Sequence, residues 1–271
     1  MEFGVLGALR LAHGNRSCVP TSPKGRQLLA LLMVNANQMV PVHACVDELW
    51  QADPPRSAVS TLQTYVLQIR RLLRAVPTVR GQEVLTTHNM SYQLHVPAES
   101  FDRGMFESLV GRARAAIVQG DDRRAAELFD SALGLWRGSA LADVPDGPTI
   151  AVHRIGLEET RFGVLEQRIE AYLRLGRHHE LLAELGTLAD THPLHENVQA
   201  QFMVALYRSG RQAQAIEMFH RLRTLLFDQL GLDPVPRMRR LYEAILAADP
   251  MLEVSALRQR PDQLPASGDG G

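Results

Sequence analysis

The first part of the chain alternates short apolar runs with longer segments in which apolar residues recur every three or four positions. Three of the apolar runs, at residues 3–6, 9–12 and 17–19, are short enough for β-strands. Ser22 followed by Pro23 is a typical helix start, because a serine hydroxyl caps free N–H groups and proline is tolerated in the first turn. The leucine-rich segment that follows is therefore predicted to be the first helix.

Two more helices and a pair of strands are predicted after it. Apolar positions indicate a short helix at 43–50 and a longer one at 57–74. Two β-type runs, at 83–87 and 92–96, predict a hairpin. Strands, three helices and a hairpin, in that order, are typical of a winged helix-turn-helix, a fold that places one helix in the major groove of DNA.

After the hairpin the pattern changes to long amphipathic helices that repeat. Segments 172–185 and 206–219 resemble each other and place Gly176 and Gly210 34 residues apart, which is the period of tetratricopeptide helix pairs. Residues 120–129 match as a third copy. Three such helix pairs are enough to bury a shared core.

The predicted fold class is mainly α. It has an N-terminal winged helix-turn-helix with a small β-sheet and a wing hairpin, and a C-terminal all-α, tetratricopeptide-like domain. The predicted boundaries are 1–97 for the DNA-binding domain and 98–252 for the helical domain. Residues 253–271 end in Pro and Gly and are predicted to be a disordered tail.

The helix predicted at 57–74 has two very different faces. With 100° between successive residues, one side of it is apolar. That side is formed by Val59, Leu62, Val66, Ile69 and Leu73. The opposite side carries Ser, Thr, Gln and Arg together with Leu67, and the stretch 58–75 contains no Asp or Glu.

Polar side chains of these types are suited to DNA. They donate hydrogen bonds to phosphates and read base edges, and a helix that approaches a polyanion should lack carboxylates. Taken alone, the helix could equally have a solvent-exposed face that happens to lack acids. The short helix before it and the hairpin after it favour DNA binding, because they are the other parts of a winged DNA-binding domain.

The charge is unevenly divided along the chain. Residues 1–97 carry nine basic and five acidic side chains, a net +4, whereas residues 98–271 carry twenty and twenty-five, a net −5. The total is −1. A basic N-terminal part on an acidic remainder suits an anionic partner for the first part only.

Several other classes of protein are disfavoured. The chain has no long apolar run and its first residues lack a basic n-region, so we expect neither a membrane helix nor a signal peptide, but a cytoplasmic, nucleoid-associated protein. Cys18 and Cys45 lack zinc-ligand spacing, and no nucleophile, base and orienting acid occur in a catalytic pattern. We therefore expect no enzyme, no cofactor and no metal site.

Several motifs, in a fixed order, resemble those of the actinomycete (Streptomyces) antibiotic regulatory proteins. The N-terminal motifs are MEFGVLGALRL, SPKGRQLLALL, and VDELW followed by PPRSAVSTLQTYVLQIRRLL. The later motifs are FDRGMFESLVGRAR, ALGLWRGSALADV, RLGRHHELLAEL, HPLHENVQAQFMVALYRSGRQAQAI and LGLDPVPRMRRLYEAIL. The resemblance covers about residues 1–252 and implies an OmpR-type winged helix followed by a bacterial transcriptional activation domain.

The resemblance also implies a function. Such a protein would activate transcription of an antibiotic or other secondary-metabolite cluster, bind direct repeats in double-stranded promoter DNA as a homodimer, and recruit RNA polymerase. The loop at 51–56 would contact the polymerase, and the hairpin at 83–96 would be the wing. This sequence has Ser91 where the family usually has Gly before Tyr92, so the wing turn is expected to differ.

The candidate DNA-contacting residues combine the face analysis with the resemblance. They are Lys24, Arg26, Ser57, Ser60, Thr61, Gln63, Thr64, Leu67, Gln68, Arg70, Arg71, Arg74, Thr87 and His88. Two alternatives stay open at this point. The helical repeats could hold a small molecule that gates DNA binding, or the third helix could dock on a protein instead of DNA.

Overall fold

The computed structural model describes residues 2–14, 16–74 and 84–253, which form two compact units. Among the described residues, the first unit lies within Met1–Gln119 and Glu127–Leu165, and the second within Gly120–Ala126 and Glu166–Gly271. The domain boundary at residue 97 stays a prediction, and residues 254–271 of the predicted tail lie outside the described part of the chain.

The first unit begins with a small antiparallel sheet of order β1-β2-β3. Its strands are β1 (Glu2–Gly4), β2 (Arg10–His13) and β3 (Arg16–Ser17). Helix α1 (Pro23–Val34) follows, and the Ser22 side chain accepts a hydrogen bond from the backbone N–H of Gly25 at 3.3 Å. The predicted helix start is therefore confirmed.

A second antiparallel sheet has the order β4-β6-β5 and carries the wing. Its strands are β4 (Met39–Pro41), β5 (Leu85–His88) and β6 (Ser91–Leu94). Strand β4 pairs with β6 and was missed in the sequence, because a three-residue strand has too few positions to show a period. Strand β5 lies later than the predicted run at 83–87, of which Glu83 is outside the described residues.

Helices α2 (Val42–Trp50) and α3 (Ala58–Arg74) pack with α1 beneath this sheet. The core they share is almost entirely aliphatic, because the apolar stripes of all three helices point into it. Fully buried members include Leu28, Leu29, Leu32, Leu49, Leu62 and Ile69. This core fixes α3 while leaving its opposite face in solvent.

The turn of the wing requires two left-handed residues. Asn89 has φ 34° and Met90 has φ 62°, as in the two-residue turns that connect antiparallel strands. Ser91 already belongs to β6, where it pairs with His88, and it does not have a positive φ. The conformational demand of the turn therefore falls on Met90, one residue before Ser91, and the expected difference from the family's wing turn stays a prediction.

Met90→Gly is expected to stabilise the first unit by about 1 kcal/mol, because an L side chain in the left-handed region is disfavoured and glycine is not. Met90 is 69% exposed, so its removal costs little packing. Urea denaturation followed by circular dichroism measures the change. Met39→Gly, at an exposed position inside β4, is the control and should destabilise; an unchanged midpoint for Met90→Gly would contradict the expectation.

Three helices continue from the winged helix into the repeats. Helix α4 (Asp102–Val118) lies in the first unit, and α5 (Asp122–Leu133) and α6 (Pro148–Arg174) each contribute residues to both units. A short 3₁₀ helix, Ala98–Ser100, precedes α4.

Buried carboxylates join the winged helix to α4, α6 and the segment before α6 within the first unit. Asp102 accepts the backbone N–H groups of Val5 at 3.0 Å and Leu6 at 3.1 Å, and Arg137 at 2.9 Å. Glu48 of α2 accepts the N–H of Thr149 at 2.7 Å at the start of α6. These contacts make the winged-helix part and the first helices of the repeat region one packed body.

The second unit is a stack of antiparallel helix pairs. It contains α7 (His178–Thr191), α8 (Glu196–Arg208), α9 (Gln212–Leu230) and α10 (Pro236–Leu246), followed by a 3₁₀ turn at Pro250–Leu252. The three repeat glycines Gly120, Gly176 and Gly210 have φ values of 77°, 76° and 74°. Each stands where one helix of a pair ends, so the predicted repeat is confirmed together with the fold class.

Candidate nucleic-acid interface

Helix α3 attaches to its domain through one narrow stripe. The stripe consists of Ala58, Leu62, Val66, Ile69 and Leu73, all buried. Val59 is 45% exposed, so its assignment to the apolar side was wrong. The stripe begins at Ala58, one helical turn before Leu62, and Val59 lies at its exposed margin.

The opposite face of α3 is open to solvent and free of carboxylates. Its exposed residues are Ser57, Ser60, Gln63, Thr64, Leu67, Gln68, Arg71 and Arg74, and Thr61 is half-buried at its edge. Leu67 lies among them with 46% of its side chain exposed. Ser57 precedes the helix, which begins at Ala58. The polar residues predicted for this face therefore lie together on one exposed surface of α3.

The hydroxyl groups on this face are partly engaged. Thr64 Oγ1 donates to the Ser60 carbonyl at 3.0 Å, and Ser60 Oγ donates to the Ser57 carbonyl at 2.9 Å. Serine and threonine often satisfy themselves in this way within helices. The lone pairs of these two hydroxyl oxygens can still accept a hydrogen bond from a base amino group. To donate to a phosphate, however, each hydroxyl would have to give up its hydrogen bond to a backbone carbonyl of the helix region.

Three long side chains provide the donors that stay available. Gln63, Gln68 and Arg71 are exposed, and in the described part of the chain no hydrogen bond or ion pair ties any of them down. Glutamine can form a bidentate pair with adenine and arginine with guanine. The face is thus equipped to read bases without losing internal contacts.

Arg70 has a different environment, between α3 and the wing. Its Nε donates to the Leu85 carbonyl at 3.2 Å, and its Nη2 donates to Thr87 Oγ1 at 2.7 Å. The guanidinium therefore fixes the inner side of β5 against the helix. Arg70 and Thr87 were both predicted to contact DNA, and in the free protein they are hydrogen-bonded to each other.

Lys24 and Arg26 of α1 are also engaged within the protein. The Lys24 ammonium donates to the Leu49 carbonyl near the end of α2 and lies 5.8 Å from the centroid of the Trp50 ring. Arg26 pairs with Asp143 at 2.8 Å. A cation at a helix C-terminus and an ion pair both stabilise the fold, so these side chains have structural partners where phosphate contacts were predicted.

The outer face of the wing holds a small polar cluster that sequence reasoning found only in part. His88 and His95 both contact Thr86, with Nε2 to Oγ1 distances of 3.0 and 3.3 Å. His88 was predicted, but Thr86 and His95 were missed. The hairpin register places them together, and the alternation of residues 86, 88, 93 and 95 could have indicated this.

Titratable groups inside the domain are structural. Burial, reinforced by Glu48, raises the pKa of the Cys45 thiol to about 12, so it stays protonated and unreactive at neutral pH. Burial also raises the pKa of Tyr92, with Cys45 adding to the effect and Arg70 opposing it. Among the described residues no three metal-ligating side chains converge, and no helix is long and apolar enough to span a bilayer.

Comparison with known proteins identifies both parts of the chain. The family model of the bacterial transcriptional activator domain matches residues 101–246, and that of the transcriptional regulatory protein, C terminal, matches residues 15–94. The solved structure of Mycobacterium tuberculosis EmbR in complex with a low-affinity phosphopeptide superimposes with a TM-score of 0.86 at 33% identity, covering 92% of this chain and 65% of that one.

Relatives from Streptomyces are similar over nearly the whole chain. The regulatory protein DnrI of Streptomyces peucetius is 45% identical over 257 residues, covering 93% of this chain and 94% of DnrI. The transcriptional regulator RedD of Streptomyces coelicolor is 34% identical and covers 98% of this chain and 76% of RedD. The regulatory protein AfsR of Streptomyces griseus is 35% identical over 98% of this chain, which spans 27% of AfsR. The chain belongs to the Streptomyces antibiotic regulatory protein family and is a DNA-binding transcriptional regulator.

Proposed function

We propose that this protein activates transcription of a secondary-metabolite gene cluster by binding direct repeats in promoter DNA and recruiting RNA polymerase. The observation that carries the proposal is the exposed, carboxylate-free face of α3, held on a winged-helix core. Such a face fits between the phosphates of the major groove, where acidic side chains would be repelled.

Residues on this surface have different roles in the proposal. Gln63, Gln68 and Arg71 read bases, because they are exposed and have no internal partner among the described residues. Leu67 meets a thymine methyl group. Ser57, Ser60, Thr61, Thr64 and Arg74 line the edges of the contact.

The remaining five candidates have other roles. Arg70, with Thr87, sets the position of the wing relative to α3, and His88 is on the part of the wing that meets the backbone of the duplex. Lys24 and Arg26 are assigned to the fold, because each has an intramolecular partner. A phosphate could recruit either of them only by replacing that partner.

Two copies of the chain on adjacent repeats complete the proposed mechanism. A single α3 reads only a few base pairs, so two molecules are needed for a site of useful specificity. The helical repeats supply protein–protein contacts, as stacked helix pairs commonly do. The loop at 51–56 is exposed throughout and is the proposed contact with polymerase.

Footprinting of the purified protein on promoters that flank its own gene tests the proposal. We expect protection of two direct repeats that lie on the same face of the duplex. Transcription in vitro with polymerase from the same organism then tests activation. Protection without any gain in transcript would leave a DNA-binding protein that does not activate, whereas no protection on any flanking promoter would refute the proposal.

Arg71→Ala is expected to weaken binding to the protected sequence by about 1–3 kcal/mol, because a bidentate arginine–guanine pair contributes that much discrimination. Gel-shift titration measures the loss. Arg10→Ala is the matched control, since Arg10 is on a strand of the other sheet and makes an exposed pair with Glu2. If the Arg71→Ala variant and wild type bind with equal affinity, Arg71 is not part of the DNA interface.

A further inference from the structure

The outer face of the wing contains two histidines that share one hydroxyl group. Thr86 Oγ1 lies 3.0 Å from His88 Nε2 and 3.3 Å from His95 Nε2, and it donates to the Gln93 carbonyl at 3.4 Å. A threonine hydroxyl has one proton and two lone pairs. Since its proton is directed to Gln93, both imidazoles can donate to it through Nε2–H.

This arrangement is compatible with the charged form of both rings. An imidazole that donates through Nε2–H can take up a second proton at Nδ1 without losing that bond. No described residue makes a hydrogen bond to Nδ1 of His88 or His95. The Nδ1 atoms are therefore available to an external group, and protonation would turn both rings into donors towards it.

Among the described residues, no Asp or Glu forms an ion pair with His88 or His95. No Asp or Glu occurs from residue 84 to residue 97, and β4 carries no titratable side chain. On the inner side of the wing, Arg70 of α3 donates to Thr87, and Cys45 of α2 acts electrostatically on Tyr92 of β6. Past the end of β6, Arg103 and Glu107 of α4 line a pocket together with Val96. Since the described residues supply no such pair, a partner can supply the counter-charge for protonated histidines on the outer side; Glu83 lies outside the described residues.

We propose that His88 and His95 form a protonation-dependent contact with the phosphate backbone, so that the protein binds DNA more tightly as the pH falls through the neutral range. This inference rests on the proposed function. The sign follows from the chemistry: histidine is the side chain that ordinarily gains charge between pH 8 and pH 5, and a phosphate stabilises the charged form. Binding therefore takes up protons, and acid favours binding.

Fluorescence anisotropy with the footprinted duplex, at pH 8, 7 and 6 and constant ionic strength, tests the proposal. The affinity of wild type is expected to be about tenfold higher, or more, at pH 6 than at pH 8. This total corresponds to a several-fold gain in affinity for each histidine. For the double variant His88→Gln, His95→Gln, the ratio of the affinities at pH 6 and pH 8 should fall below about twofold, whatever its affinity at pH 8. His13→Gln, at an exposed position in β2, is the control and should keep the full dependence.

A second double variant tests the proposal through a gain of affinity instead of a loss. His88→Arg with His95→Arg carries permanent charges and should bind at pH 8 about as tightly as wild type does at pH 6. Wild-type affinity that does not change with pH, or a pH dependence that the glutamine variant retains, would overturn this inference while leaving DNA binding in place. No binding by wild type at any pH would instead overturn the proposed function, and this inference with it.

Discussion

Replacing Leu67 by glutamate is expected to abolish specific DNA binding, with a loss of roughly 100-fold or more, while leaving the protein folded. Leu67 is 46% exposed at the centre of the carboxylate-free face of α3. In the proposed complex, the new carboxylate would be held against phosphates of the major groove. The substitution adds this repulsion to the loss of an apolar contact with a base, so its effect exceeds that of removing one arginine.

The fold should tolerate the same substitution because the core residues of α3 lie on its other side. Circular dichroism and urea denaturation check this, with Val152→Glu as a matched control at a position of α6 that is 69% exposed. Loss of helical signal in the Leu67→Glu variant would place Leu67 in a packing contact. Full affinity in a folded Leu67→Glu variant would mean that α3 does not enter the groove.

Most of the fold could be predicted because its signals are local. The start of α1 depends on Ser22 and Pro23, and the helix pairs depend on glycines 34 residues apart that end one helix and allow the next to turn back. The face of α3 was also predictable, since 3.6-residue periodicity separates its buried and exposed sides. Val59 was misassigned because a helical wheel gives the direction of a residue but not how far the packed neighbours extend across the stripe; in the same turn Ala58 is buried and Val59 is exposed.

The partners of the basic side chains could not be predicted in the same way. Arg26 pairs with Asp143, which is 117 residues away, and Arg70 donates to Thr87 on a different element. A list of cations in a sequence gives their number and not their tertiary contacts, so side chains that stabilise the fold look the same as side chains that meet phosphate. The DNA-contact assignments on α3 and the wing accordingly stay predictions until binding is measured.

Glu48→Ala is expected to lower the free energy of unfolding of the first unit by about 3 kcal/mol, because the N–H groups of half-buried Thr149 and buried Ile150 would lose their acceptor. Glu48 is fully buried, and its carboxylate accepts from the N–H groups of Thr149 at 2.7 Å and Ile150 at 3.4 Å, in the first turn of α6. The residue before that helix is Gly147, which has no side chain to cap it. A residue of α2 therefore supplies the helix cap from about a hundred positions earlier in the chain.

Two further variants separate capping from simple loss of volume. Glu48→Gln keeps the shape and one acceptor oxygen, so it should lose about half as much stability. Gly147→Ala should destabilise as well, because an added Cβ would come within 2.2 Å of Glu48 Oε1. Urea unfolding, with Glu159→Ala on the exposed face of α6 as control, measures all three. If Glu48→Ala unfolds at the wild-type midpoint, the cap contributes nothing. If it destabilises as expected, the contact between α2 and the start of α6 contributes to the stability of the first unit, which also contains α3, the helix proposed to contact DNA.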